Sequence, residues 1–233
     1  MKNIILSIVV LALVGFGGYK LFGSKEVKAP QDQMATTTPV VADTAPVVAK
    51  DTYAIDLSKS TVGWKGSFVS GAKSHTGTIA LKQSGGKFEN GMITSGTFVL
   101  DMSSIKESTG DEKLETHLKS DDFFNAEMYP EAKFELTSLV AATTKDTFTA
   151  KGKLTIRDVT KDFSFPVVLT VVEPNMISAV GKITFNRADF NVKYGSSSFF
   201  KGLGDKVISD KIELTLNLIT MPIEISAPPS SIQ

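Results

Sequence analysis

Two histidines, His75 and His117, are the side chains of this chain best suited to proton transfer near neutral pH, and His117 opens the run HLKSDDFF. Within eight residues that run holds an imidazole, two carboxylates at Asp121 and Asp122, and the aromatic pair Phe123 and Phe124. An imidazole beside a carboxylate could shuttle a proton or take a zinc ion. Neither histidine has a second at metal-ligand spacing, however, so a zinc site would need carboxylates to complete it. Serines and aspartates are plentiful enough for a Ser-His-Asp arrangement, yet the chain has no G-x-S-x-G elbow and no H-E-x-x-H helix. The expectation is no catalytic residue, no metal and no cofactor.

Other candidates for chemistry read as structure. Gly195, Gly202 and Gly204 flank Ser196 to Ser198 and Phe199-Phe200, but the strand-loop-helix context and G-K-[ST] sequence of a phosphate cradle are missing. This stretch is expected to be a mobile hairpin loop, with Lys201 and Lys206 either solvated or facing an anionic head group. Arg157-Asp158 and Arg187-Ala188-Asp189 are expected to be surface ion pairs worth about 0 to 1 kcal/mol. The 25 basic residues balance 25 acidic ones with no basic stripe, so nucleic acid is not an expected partner. The absence of cysteine removes disulfides, thiolate metal sites and cysteine nucleophiles together.

The elements that must carry these residues are strands. Period two, the mark of a strand with one buried face, dominates from Asp51 to Thr220. Ile212, Leu214, Leu216 and Leu218 alternate with polar residues, as do Phe148, Ala150, Leu154 and Ile156. Phe163, Phe165, Val167, Leu169 and Val171 form a third row, in which Pro166 predicts an edge or a bulge. Val62, Trp64 and Phe68 form a fourth, Phe98 and Leu100 a fifth, Phe134 and Leu136 a sixth, Ile183 and Phe185 a seventh, and Ile79 and Leu81 an eighth. Turn residues separate them at Gly85-Gly86, Glu89-Asn90-Gly91, Lys145-Asp146 and Pro174-Asn175. About eight antiparallel strands follow, closed as a barrel or stacked as a sandwich; periodicity does not choose between the two.

One segment, Ser103 to Tyr129, breaks the alternation. Ser108-Thr109-Gly110-Asp111 offers capping chemistry, and Leu114, His117 and Leu118 fall on one helical face, which predicts a short helix. Asp121 or Asp122 is expected to cap a further turn carrying Phe123 and Phe124, either as a plug at one end of the strands or in contact with a ligand.

The ends of the chain read differently. Residues 1–23 hold an early lysine, Lys2, and an uncharged run from Asn3 to Tyr19, the pattern of an export segment. As a helix it would rise about 25 Å, slightly less than a ~30 Å hydrocarbon core, so a cleaved signal peptide and a retained membrane anchor both stay open. Residues 24–50, with Pro30, Pro39 and Pro46 and no apolar period, are expected to form a flexible linker. The folded domain is expected over 51–220, followed by a tail over 221–233.

Several motifs occur in a fixed order: Tyr53-x-Ile55-Asp56, Ser60-Thr61-Val62-x-Trp64, HLKSDDFF with Tyr129-Pro130 and Phe134 after it, Leu154-Thr155-Ile156-Arg157-Asp158-Val159-Thr160-Lys161, and Asn186-Arg187-x-Asp189-Phe190. Together they resemble the YceI-like family of bacterial lipid- or polyisoprenoid-binding proteins. The resemblance spans the domain from about Tyr53 to Thr220. It implies an all-β, lipocalin-like, eight-stranded antiparallel barrel with a short helical insertion, enclosing an apolar tunnel for an isoprenoid chain. It also implies a non-enzymatic role and export to the periplasm or cell envelope; the leader and the proline-bearing linker depart from a freely diffusing form and suggest a protein tethered to the inner membrane, with secretion as the alternative.

The family supplies no ligand motif to carry over position by position, so the tunnel is mapped onto the inward rows: Trp64, Phe68, Ile79, Leu81, Phe98, Leu100, Phe123, Phe124, Phe134, Leu136, Leu154, Ile156, Phe163, Phe165, Ile183, Phe185, Leu214 and Leu216. The expected partners are an isoprenoid or other long-chain lipid and, if the leader is not cleaved, the membrane; a homodimer is left open. Two other readings stand beside this one, an envelope stress-response or interaction module with a solid barrel core and an enzyme centred on His75 or His117.

Overall fold

The computed structural model describes residues 51–71 and 73–223. The leader expected over 1–23 and the linker expected over 24–50 lie outside the described residues, as do residues 224–233 of the expected tail. Alternation has produced one antiparallel sheet of eleven strands among the described residues: β1 (Thr52–Ala54), β2 (Thr61–Ser67), β3 (Ser74–Ile79), β4 (Gly85–Glu89), β5 (Met92–Asp101), β6 (Lys106–Glu107), β7 (Glu131–Ala141), β8 (Thr147–Ile156), β9 (Val159–Glu173), β10 (Met176–Asn186) and β11 (Lys211–Ile219). The spatial order is β1-β4-β5-β7-β8-β9-β10-β11-β2-β3-β6. The sheet curls back on itself. Just past β3, Leu81 bridges Leu100 of β5, with Lys82 N–H donating to the Val99 carbonyl at 2.8 Å and Asp101 N–H to that of Ala80 at 2.9 Å.

All eight expected apolar rows lie on strands or their immediate extensions, but the strand count is eleven because β1, β4 and β6 are too short to show a period. Gly85 and Gly86 correct a turn expectation: both sit inside β4, paired with β1 and β5. A Cβ at Gly85 would overlap the Tyr53 carbonyl, and one at Gly86 the Ser95 carbonyl. These glycines serve close backbone approach. The chain reverses instead at Asn90 (φ 52°) and Gly91 (φ 80°), a pair suited to a tight hairpin. The Lys145-Asp146 and Pro174-Asn175 hairpins fall where expected.

Pro166 is neither at the edge of the whole sheet nor at a bulge. Its strand lies between β8 and β10, but the β9–β10 ladder ends at Val167↔Gly181, so from Pro166 back to Val159 the strand pairs with β8 alone. The missing N–H of proline is tolerated because β9 is a local edge there. Val171, expected in the inner row, is 73% exposed where β9 runs beyond the core. The expected tail at Met221 begins inside the body. Met221 N–H donates to Ala54 O at 2.8 Å, Ile223 N–H to Asn175 O at 2.8 Å, and the Ile223 side chain is buried.

The strand registers place the Asn90, Asp146 and Asn175 turns at one end. At the other end lie the β2–β3 connection, the Arg157-Asp158 turn, the segment from Arg187 to Asp210, and an α-helix, α1 (Glu112–Lys119). Asp111 caps α1 by accepting from Leu114 N–H at 3.0 Å. Glu115, buried in its first turn, accepts from Glu107 N–H at 3.0 Å and from Lys106 Nζ at 2.9 Å, which ties the helix to β6. The helix ends at Ser120, whose N–H reaches the Thr116 and His117 carbonyls. The following residues form a turn that neither Asp121 nor Asp122 caps: Phe123 N–H and Asn125 N–H both donate to Ser120 O, at 3.2 and 2.7 Å, and Phe124 N–H donates to Leu118 O at 3.1 Å.

Candidate functional site

The curled sheet encloses a cavity of about 530 Å³ with predominantly apolar walls. Every expected lumen residue lines it except Phe163. That ring is half-buried beside Phe165, centroids 6.3 Å apart, on the stretch of β9 held by β8 alone. Exposed Lys73, Asp111 and Lys113 also line the cavity, so it reaches solvent between the β2–β3 connection and the start of α1.

Several lining residues have no local sequence signal that would have found them. Tyr53 comes from the three-residue β1, Ile105 precedes the two-residue β6, and Tyr194 and Ile208 come from the glycine-bearing loop. Alternation needs a longer window than these segments give. Ile177 and Ala179 of β10 continue the Ile183 and Phe185 row and were findable on that ground.

At the mouth, three rings meet. His117 stands edge-on to Tyr194 at 4.6 Å and to Phe123 at 5.0 Å, and Phe123 and Tyr194 are 5.2 Å apart. His117 Nε2 is 3.1 Å from Asp122 Oδ2, so the imidazole is packed and paired as part of the wall. His75 lies elsewhere on the rim, its Nδ1 3.4 Å from Glu107 Oε1. The two histidines have separate partners, and among the described residues no group of three or more His, Asp or Glu side chains is placed to hold a metal.

Glu107 organises the rim. Its carboxylate accepts from the Thr109 hydroxyl at 2.6 Å and from Thr109 N–H at 2.7 Å, with Asp111 N–H at 3.3 Å. These donors, the Thr109 hydroxyl foremost, hold its pKa down to about 2. Trp64 Nε1–H donates to the Lys106 carbonyl at 3.0 Å, so an inward aromatic also secures β6.

The arginines correct the surface-pair expectation. Arg187 is fully buried, and its ion-pair partner is Asp210, at 3.3 Å. Its guanidinium donates to the carbonyls of Ser209, Val192 and Ile208 at 3.0, 2.9 and 3.1 Å. Burial lowers the Arg187 pKa and the Asp210 carboxylate opposes that shift, while the carbonyls satisfy its N–H groups. Arg157 turns away from Asp158: its Nη1 donates to the carbonyls of Phe123 and Asn191, each at 3.1 Å. The loop after Tyr194 is pinned where a mobile hairpin was expected, since Ser196 and Ser198 hydroxyls donate to Asp210 Oδ2 at 2.9 and 2.7 Å.

The model of the YceI-like domain matches residues 53–220. The chain belongs to the YceI-like family. No curated protein matches it. Among solved structures, it is similar in fold to BcnA of Burkholderia cenocepacia, with 20% identity, a TM-score of 0.56, and coverage of 72% of this chain and 99% of that one. It is also similar to a polyisoprenoid-binding domain from Saccharophagus degradans implicated in plant cell wall breakdown, with 15% identity, a TM-score of 0.58, and coverage of 73% and 98%. At these identities the likeness is one of fold. In this YceI-like domain the HLKSDDFF motif supplies the helix end and the aromatic turn of the mouth, and the Asn186-Arg187 motif supplies the buried guanidinium beneath it.

Proposed function

We propose that this protein binds a long apolar lipid, an isoprenoid such as a polyprenyl chain or an isoprenoid quinone, in the barrel lumen, and sequesters or carries it in the cell envelope without catalysing a reaction. The carrying observation is the apolar cavity of about 530 Å³ that opens beside α1. Its size falls within the range of roughly 300 to 1,000 Å³ usual for ligand sites. The polyisoprenoid-binding description of the Saccharophagus degradans domain supports the ligand class, and the export-like leader supports the compartment. In the lipocalin-like reading, β2, β3, β5 and β7 to β11 are eight staves, and β1, β4 and β6 are accessory edges.

Affinity follows from burial. Each methylene removed from water contributes about 0.8 kcal/mol, so a few isoprene units offset an association cost of roughly 4 to 15 kcal/mol. A wall with few polar groups selects by length and apolarity more than by head group. Native mass spectrometry and solvent extraction of the purified protein are expected to find a long-chain lipid at one equivalent. A protein recovered lipid-free from every preparation, and unable to take up an added isoprenoid, would sink the reading.

A further inference from the structure

The mouth of the cavity is framed by apolar side chains that face water. Phe199 is 42% exposed, Phe200 49%, Tyr194 43% and Val69 65%. The backbone gathers them at one end of the barrel: Val69 N–H donates to Val207 O at 2.9 Å, Phe68 bridges Ile208, and Phe199 and Phe200 N–H both donate to Ser196 O. Tyr194, Ile208 and Phe68 also line the cavity, so this outer apolar surface continues into the inner one. Water-exposed aromatics grouped this way mark a contact surface.

The charge around them selects the partner. Between residues 193 and 206 stand Lys193, Lys201 and Lys206 against a single acid, Asp205, and all four are exposed. Lys193 Nζ lies 5.2 Å over the Phe199 ring, with cation and aromatic presented together. Lys73 adds a further positive charge on the β2–β3 connection. Elsewhere at this end stand the exposed acids Asp111 and Glu112 at the start of α1, Asp121 and Asp122 after it, Asp158 in the β8–β9 turn and Asp189 after β10, so the lysine excess belongs to the loop itself; Asp122 and the buried Glu107 contact His117 and His75, and Asp210 is occupied by Arg187 and two serines. Aromatic and aliphatic side chains interleaved with lysines suit the interface of an anionic bilayer, where rings enter the head-group zone and ammonium groups meet lipid phosphates.

We propose that the loop from Lys193 to Lys206, with the Val69 turn beside it, is a docking surface for anionic membranes, and that it seats the cavity mouth on the bilayer so that a lipid passes between them without crossing water. The proposal rests on the lipid-binding reading for its purpose, but its contact can be measured separately.

Because the chain has no cysteine, one can be placed at will. In the full-length protein, Ser197→Cys in the loop and Lys145→Cys at the opposite end are each labelled with a polarity-sensitive fluorophore and mixed with phosphatidylglycerol or phosphatidylcholine vesicles. The Ser197 probe is expected to shift to the blue with phosphatidylglycerol alone, and the Lys145 probe to stay unchanged. Lys201→Gln with Lys206→Gln is expected to weaken the response about thirtyfold, at about 1 kcal/mol per lysine, and Phe199→Ser with Phe200→Ser roughly tenfold or more. High salt should imitate the lysine variant.

No shift at the Ser197 probe, equal shifts at both probes, or a response indifferent to both double variants would overturn the docking surface. Native mass spectrometry of the same samples separates the two claims. Empty protein with a shifting loop rejects the lipid cargo and keeps the docking; loaded protein with a silent loop does the reverse.

Discussion

The guanidinium of Arg187 lies 5.8 Å above the ring of Phe123, and both side chains line the cavity wall near its mouth. One residue directly follows β10 and the other follows α1, so this stacking joins the strand body to the helical insertion. Arg187→Ala strands three carbonyls and the Asp210 carboxylate at once. The expected loss is about 3 to 5 kcal/mol, as for a buried pair deprived of one partner. Urea unfolding followed by circular dichroism measures it, and a loss below about 1 kcal/mol would mean that water takes over the vacated hydrogen bonds.

Acid sensitivity should trace to Glu107. Its folded-state pKa of about 2 lies below the ordinary 4.5. A depressed carboxylate binds its proton more readily in the unfolded chain, so its stabilisation is complete above pH 4.5 and is lost as pH falls towards 2. Asp56, Asp101 and Glu115 are lowered as well and act in the same direction. Glu107→Gln should therefore flatten, without abolishing, the fall in stability across that interval. A pH series of thermal melts tests this, and parallel curves for variant and parent would refute it.

Filling the lumen should separate binding from folding. Leu216 is half-buried and faces the cavity. Leu216→Trp enlarges a side chain that has empty space before it, so the usual overpacking cost of about 1 to 3 kcal/mol should fall at its lower end. Lipid recovered per protein should drop roughly tenfold, equivalent to about 1.4 kcal/mol in affinity. Undiminished lipid in a folded variant would place the ligand elsewhere.

Most of the lumen was legible because alternation is a local signal: once Leu214 and Leu216 face inward, the rest of β11 follows. Phe163 obeys the same parity and still misses the cavity, although Phe165, on the same stretch paired with β8 alone, lines it; parity does not say how far along a strand the cavity extends. Gly77 and Gly85 carry the same lesson. At Gly77 a Cβ would overlap the Lys106 carbonyl and the Trp64 ring, so the glycine answers a contact 29 residues away, which no turn rule sees. Arg187 looked like a surface charge beside Asp189 because its real partners, Asp210 and the Ile208 and Ser209 carbonyls, come from the far end of a loop. The aromatic turn at Phe123 and Phe124 was legible in place, though its hydrogen bonds come from the Ser120 and Leu118 carbonyls and not from an aspartate cap.

The early end of the β9–β10 ladder has a mechanical consequence. From Pro166 to Val159 the two strands are unstitched, and near that gap Arg157 links Phe123 of the insertion to Asn191 after β10 by hydrogen bonds to their carbonyls. A sheet can spread most readily where neighbouring strands share no ladder, here and at the Leu81–Leu100 bridge. Any spreading there would cost side-chain contacts and no ladder hydrogen bond between β9 and β10.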